Sequence, residues 1–348
     1  MLRSAIRAKV KPLLYKFKRR GLCSRFLDTQ KGWKVVFYGT DNLSEEVLKA
    51  LHANRISSNN KIVKELDVVC IKLDCAVRQY ATTNNIPIHT WPYHLPPNTY
   101  DVGVVASFGH LIPSDCIRAC KYGMINAHPS LLPRWRGAAP IVHTILGGDI
   151  ETGVTITQVS PNKFDVGKIL LQEKYKVPVG SSSKTLTDEM SKIAAAMIMK
   201  TLEKLPFYID SSYPQPKEGM TYARKVKPEN GFLDWEKDTA LTIERKYRAY
   251  DGFVDLYTFW KDMKILIIEI VNIEGVNMDV LVTQSPVSPG FCYFHKRRKV
   301  IFVKCQDGWC GVKTLKIPKT GTISAQDFYN GFMSKVKENQ CYFAVNKK

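Results

Sequence analysis

Asn126 and His128, one residue apart, open the stretch of the chain richest in chemistry, INAHPSLLPRWRGAAPI over residues 125–141. The stretch begins as an apolar run, and in a strand residues i and i+2 point to the same side. An amide and an imidazole facing one way can hold a developing oxyanion and move a proton. A proline-bounded loop follows (Pro129, Pro133), then Arg134, Trp135, Arg136, a glycine and a new helix. Two arginines at a strand end suit an anionic ligand; they equally suit acids on the domain's own surface, and the ligand assignment is the preferred one. Trp135 reads as packing rather than base stacking. Taken alone, the stretch also fits a strand end with a satisfied histidine and a polar turn. Further on, Asp165 lies in the connection 161–167 (PNKFDVG), where it is either an acid aimed at this site or an ordinary turn aspartate.

The elements that must position these residues alternate. Residues 33–39 (WKVVFYG), 67–73 (DVVCIKL), 86–89, 101–107 (DVGVVAS) and 124–127 read as apolar strands, with helices over about 44–53 and 76–84. Continuous apolar strands alternating with helices imply an α/β fold whose parallel sheet is covered on both faces. Ligands of such sheets lie at the carboxyl ends of strands, here the loops 39–42, 107–112 and 128–137. Neither G-x-G-x-x-G nor G-x-x-x-x-G-K-[ST] occurs, so the dinucleotide fingerprint and the P-loop are both absent. Two more strands are expected at 152–160 and 167–177, then a long amphipathic helix at 184–205 and a Pro/Ser/Tyr-rich linker at 206–219. Beyond 220 a helix (239–250) precedes short strands at 256–260, 264–273, 290–294, 299–305 and 311–317, and a last helix follows at 324–333. That spacing predicts a small β-barrel. Between two of its strands, HKRRK (295–299) is either a phosphate-binding tip or a solvated turn that guards a sheet edge.

With 348 residues the chain is long enough for two domains. Its net charge is +19, and the first 31 residues carry ten lysines and arginines against the single Asp28. Interleaved with Leu, Ile, Val, Tyr and Phe, this segment reads as an amphipathic transit peptide of the mitochondrial kind, in preference to a basic arm for nucleic acid. The remaining positive charge suggests a polyanionic partner or a generally basic surface. No apolar run is long enough to cross a membrane. The nine cysteines form no C-x-x-C pair, which favours reduced, buried thiols in an intracellular compartment over a zinc site.

Together, INAHPSLLPRWRGAAPI and the downstream TGVTITQVSPNKFDVGKIL closely resemble the methionyl-tRNA formyltransferase family, as do VVFYGTD, VVASFGHLIP, TYARKV and DFYNGF in the same order. The resemblance spans roughly residues 33–335. It implies a Rossmann-like formyltransferase domain (32–205), the linker (206–219) and a C-terminal, tRNA-binding barrel resembling an OB-fold (220–348). The implied reaction moves the formyl group of 10-formyltetrahydrofolate to the α-amino group of initiator methionyl-tRNA, without a metal, by a monomer of the mitochondrial matrix. Asn126, His128 and Asp165 match the family's catalytic trio. Phe108, Gly109, Leu111 and Ile112, with Ser130, Leu131, Leu132, Pro133, Arg134, Arg136 and Gly137, match positions that line its folate and substrate pocket. Arg224, Lys225, Lys227, Arg297 and Arg298 are the candidates for tRNA phosphates. One departure stands out: bacterial members carry a long basic insertion after the second strand, whereas here 73–78 (LDCAVR) runs almost directly into a helix. Two alternatives stay open, a formyltransferase for another amine and a non-catalytic tRNA-binding protein.

Overall fold

A computed structural model of the chain describes residues 32–344 apart from 72–73, 162, 272, 274–275 and 277–286. The transit-peptide expectation for 1–31 lies outside the described residues. The first half is built on a seven-stranded sheet of β1 (Trp33–Tyr38), β2 (Val63–Cys70), β3 (Ile88–Thr90), β4 (Val102–Ala106), β5 (Met124–His128), β7 (Glu151–Gln158) and β8 (Ile169–Lys176). A two-residue β6 (Arg136–Gly137) lies apart from it. The strand order is β3-β2-β1-β4-β5-β7-β8. The first five strands are parallel, as the apolar runs imply. The two further strands, for which the sequence implies no direction, are antiparallel: β7 runs antiparallel to β5, and β8 antiparallel to β7. The ten-residue connection 159–168 is too short for the crossover that parallel neighbours need, which fits the antiparallel pairing of β8 with β7.

Helices cover both faces. On one, α1 (Asn42–Ile56) packs beside α5 (Ser183–Glu203). In α5 the buried Leu186, Met190, Ala194, Met197 and Ile198 fall at helical spacing, and a Ser182/Thr185 capping box starts the helix. Trp33 Nε1 donates to the Leu202 carbonyl at 2.8 Å, tying the sheet to the end of α5. On the other face, the short helix α3 (Ser114–Ala119) brings Cys116 to Val36, Tyr38, Val69, Val105 and Met124 in a second apolar layer, and this layer seats Phe108 and Ile112. The chain passes from β2 to α2 (Ala76–Thr83) within a few residues, so no long insertion intervenes.

The stretch 206–219 is not a free spacer. Residues Leu205–Asp210 form the short helix α6. Tyr213 then exchanges two backbone hydrogen bonds with Ile169 of β8 (3.1 and 2.8 Å). Next, β9 (Tyr222–Ala223) pairs in parallel with β6. The linker therefore runs back across the first domain before entering the second, where α7 (Ala240–Ala249) packs on α4 (Pro140–Gly147).

The second domain holds an antiparallel sheet ordered β10-β11-β14-β13-β12, with β15 (Gly321–Ser324) beside β14. These strands are Leu256–Trp260, Met263–Val271, Trp309–Ile317, Val300–Lys304 and Cys292–His295 respectively. The chain end closes the sheet. Ala344 N–H donates to Phe259 O, Phe343 N–H to Gly290 O and Cys292 N–H to Cys341 O, each at 2.8 Å, so residues 341–344 bridge the two edges. Closure leaves no bare edge there, and Trp235, Phe328 and Phe343 fill the interior.

Candidate active site

Strand β5 ends at the carboxyl edge of the sheet, where a cavity of about 320 Å³ opens. All three of the loops placed there contribute: Asp41 from the first, Ser107 to Ile112 from the second, and His128, Pro129 and Gly137 from the third. Asn126 and His128 both line the cavity from β5, and Asp165 faces them from the β7–β8 connection. The structure thus brings the three candidate catalytic residues together, although Asp165 stands 37 positions beyond His128.

His128 is nearly buried, and its two ring nitrogens have different surroundings. Nε2 lies 2.8 Å from the Trp135 carbonyl, which can only accept, so Nε2 carries the hydrogen. Nδ1 then faces Asp165 Oδ1 at 3.5 Å. The other carboxylate oxygen, Oδ2, accepts the Gly137 N–H at 2.9 Å. Asp165 has a left-handed backbone (φ 54°), a conformation Asp tolerates better than most residues. Two glycines make this approach possible. A Cβ on Gly137 would stand 2.5 Å from Ala223 O, and one on Gly167 would stand 1.6 Å from Gln158 O. The D-x-G spacing is therefore a steric requirement, because β7's carbonyl passes where a side chain would be.

The cavity wall is mainly apolar. Phe108 packs edge-on against Tyr38 and Trp91, both with centroids 5.2 Å away. Ile112, Val105 and Pro140 continue the wall, and Leu111 and Phe164 stand half-exposed at the mouth. Gly109, at φ 74°, turns the loop so that its backbone approaches the opening. An apolar slot beside a few fixed polar groups suits a flat heteroaromatic ring.

The 130–136 loop departs from expectation. Ser130, Leu131, Leu132, Pro133, Arg134 and Arg136 do not line the cavity; Phe108, Gly109, Leu111, Ile112 and Gly137 do. Ser130 is buried and gives its hydroxyl to Arg134 O at 2.6 Å. Leu132 N–H bonds the buried Thr155 hydroxyl at 3.1 Å, and Gln172 Nε2 donates to both Thr155 Oγ1 and Leu132 O. Arg134 spends its fork on Asp149, with Nε to Oδ2 at 2.7 Å and Nη2 to Oδ1 at 2.5 Å. These bonds raise its pKa further and leave it paired rather than aimed at a ligand. Trp135 packs under the Arg134 guanidinium, 4.4 Å from its ring centroid, and donates Nε1 to the same aspartate. Arg136 turns away to Gln215 in the linker. The loop's polar residues thus build a scaffold whose product is the placement of the Trp135 carbonyl.

Residue-by-residue reading missed the partners of that scaffold. Gln215 donates Nε2 to both Asp165 O and Gly167 O at 2.9 Å, and Thr221 accepts the Trp135 N–H at 2.9 Å. Phe164 left a signal that could have been used, an apolar side chain beside a turn aspartate. The tRNA candidates lie away from the cavity. Arg224, Lys225 and Lys227 are exposed just after β9, and Arg297 and Arg298 are exposed in the turn between β12 and β13. Among the described residues no group of three or more His, Cys, Asp or Glu could hold a metal ion. No described helix is long and apolar enough to cross a membrane.

The mixed sheet joined to a closed antiparallel barrel is that of a formyltransferase. The family model for formyl transferase matches residues 93–202, and that for the formyl transferase C-terminal domain matches 225–333. The mitochondrial methionyl-tRNA formyltransferase of Mus musculus is 40% identical over 323 residues, covering 89% of this chain and 83% of its own length. That of Homo sapiens is 39% identical over the same share of this chain and 82% of its own. An N-formyltransferase from Helicobacter canadensis, solved with folinic acid and dTDP-3-aminofucose, shares the fold at a TM-score of 0.56. It is 15% identical, and the match covers 80% of this chain and 98% of that one. The chain belongs to the methionyl-tRNA formyltransferase family.

Proposed function

We propose that this chain transfers the formyl group of 10-formyltetrahydrofolate to the α-amino group of methionyl-tRNA, for initiation of translation in mitochondria. The observation that carries the mechanism is the meeting of Asn126, His128 and Asp165 at one mainly apolar cavity. The resemblance to mitochondrial enzymes over most of the chain supports the acceptor and the compartment. The N-terminal 31 residues fit a targeting role, with the exposed cations after β9 and at the β12–β13 turn contacting tRNA phosphates.

In this reading the pterin enters between Phe108, Ile112 and Leu111, and its formyl group reaches Asn126. The neutral amine attacks the formyl carbon, and the oxygen gains negative charge in a tetrahedral intermediate. Asn126 donates its amide N–H to that oxygen. With Nε2 held by the Trp135 carbonyl, only Nδ1 of His128 is left for chemistry. Nδ1 and the Asp165 carboxylate face each other across 3.5 Å, a space for the proton that leaves the amine. The bond from carbon to N10 then breaks, N10 takes up a proton, and tetrahydrofolate leaves as formylmethionyl-tRNA forms. No serine or cysteine nucleophile takes part.

The test is formyl transfer by protein lacking residues 1–31, with 10-formyltetrahydrofolate and methionyl-tRNA, against free methionine. Formylmethionine is expected on the charged tRNA alone. Asn126→Ala should lower kcat by about 10²–10³-fold, the effect of one oxyanion donor, with tRNA binding retained. Transfer to other amines but not to methionyl-tRNA would overturn the acceptor assignment. Full activity in Asn126→Ala and Asp165→Ala would overturn the site.

A further inference from the structure

We infer that Gln215, in the connection between the two domains, is a positioning residue that holds Asp165 in its working orientation. The inference rests on the proposed catalytic role of Asp165. The side-chain amide is fixed in one sense only. Both Nε and Nη2 of Arg136 donate to Gln215 Oε1, at 2.9 and 2.6 Å, so the oxygen must face the guanidinium. The NH2 group therefore faces the other way, where it meets the carbonyls of Asp165 and Gly167, both at 2.9 Å. The amide straddles the D-x-G turn and pins the backbone on either side of residue 166. That backbone is the one that needs help, because Asp165 sits in the left-handed region and Gly167 runs so close to Gln158 that an added Cβ would meet its carbonyl oxygen. The adjoining Gly137 N–H holds the Asp165 carboxylate directly. Arg136 and Gly137 are neighbours in sequence, so one dipeptide anchors the aspartate by two routes, through its carboxylate and, by way of Gln215, through its main chain.

This gives Arg136 a role other than ligand binding. Its charge fixes the sense of a neutral amide, and the amide fixes the acid. Gln215 itself does not line the cavity, so it touches no substrate. Its loss should act on the chemical step and leave binding alone, since one misplaced group can cost catalysis without removing a substrate contact.

The experiment compares Gln215→Met, which keeps the length and removes the hydrogen bonds, with Gln215→Glu. The carboxylate can still accept from Arg136 but cannot donate to the two carbonyls. Full-length and 1–31-deleted enzyme are assayed with 10-formyltetrahydrofolate and methionyl-tRNA. Both variants should lose about tenfold or more in kcat, with KM for either substrate within about twofold and the melting temperature little changed. The deciding readout is the double mutant. In an Asp165→Ala background, Gln215→Met should lower kcat no further, because the residue works through the aspartate. A further loss there, or a rise in KM with kcat unchanged, overturns the inference. Asp165→Ala with full activity instead overturns the proposed site, so the two failures are told apart.

Discussion

Gly167→Ala puts the steric reading of the D-x-G turn at risk. A Cβ at residue 167 would sit 1.6 Å from the Gln158 carbonyl oxygen and 2.8 Å from its carbon. Contacts under 3.0 Å are essentially never seen for real Cβ atoms, so the backbone must open by at least about 1.4 Å. The obstacle is main chain at the end of β7, held in register with β5 and β8, so it cannot rotate away as a side chain would. The turn is the part that gives. Its residues 161, 163 and 164 are exposed, and its inner residues 165 and 167 are held by Gln215 and the Gly137 N–H. A shift of that size carries Asp165 out of the 3.5 Å approach to His128 Nδ1. Misplacement of a reacting group by about 1 Å can cost on the order of 10²-fold in rate, so kcat should fall by about that factor. Stability should fall much less, because the displaced turn buries little apolar surface. Steady-state formylation and a thermal melt on the same preparation separate the two quantities. Wild-type kcat in Gly167→Ala would refute the argument, since the turn would then tolerate a side chain where the backbone leaves it no space. Equal collapse of kcat and melting temperature would refute the claim that the strain is absorbed locally.

Two further predictions concern the layer beneath the cavity. The Tyr38 hydroxyl is buried without a hydrogen-bond partner, so Tyr38→Phe should leave stability unchanged or raise it by up to about 1 kcal/mol; a loss of that size in a denaturant titration would mean that the hydroxyl is satisfied after all. Burial pushes the nearby Cys120 thiol up to about 12, so at pH 8 it should react with a disulfide reagent only after unfolding, and later than the less buried Cys75. The sign for stability follows: the folded state keeps the Cys120 proton above the ordinary value of 9.0, so its contribution is intact below pH 9 and is lost as the pH rises toward 12. Rapid native labelling at Cys120, identified by mass spectrometry, would contradict the packing.

Local pattern carried the argument as far as local pattern can. β1, β4 and β5 are apolar runs buried on both faces, and their type follows from that alone. Asn126 and His128 share a side because a strand alternates, and Asp165 joined them through the resemblance. Partners chosen in three dimensions were not legible. A guanidinium finds whichever carboxylate the fold brings to it, and nothing in RWRG says that Asp149, fifteen residues later than Arg134, is that carboxylate. The direction of β7 was not legible for a related reason. An apolar run fixes that a strand is buried, while its sense depends on the length and path of the connection.

The linker is where composition says least about contacts, and the reason is physical. Polar, proline-rich chain has the same makeup whether it floats in water or spends its hydrogen bonds on another segment's backbone. Here Thr221 supports Trp135, whose carbonyl orients His128, and Gln215 supports the turn that carries Asp165. Both candidate proton-handling residues are thus held by chain that belongs to neither the sheet nor the barrel. The same segment continues into β9, which pairs with β6, and Arg224 O then meets His143 Nε2 at 3.0 Å. His143 in turn lies against the Trp135 ring, at 5.3 Å between centroids. A disturbance at the entry to the barrel therefore has a short covalent and hydrogen-bonded route to His128, whereas one at the far β12–β13 turn does not. Substitutions of Arg297 and Arg298 should accordingly change KM for methionyl-tRNA alone, while loss of the Thr221 hydroxyl should change kcat. Equal effects of both on kcat, measured with saturating tRNA, would show that the barrel and the site are coupled by some other path.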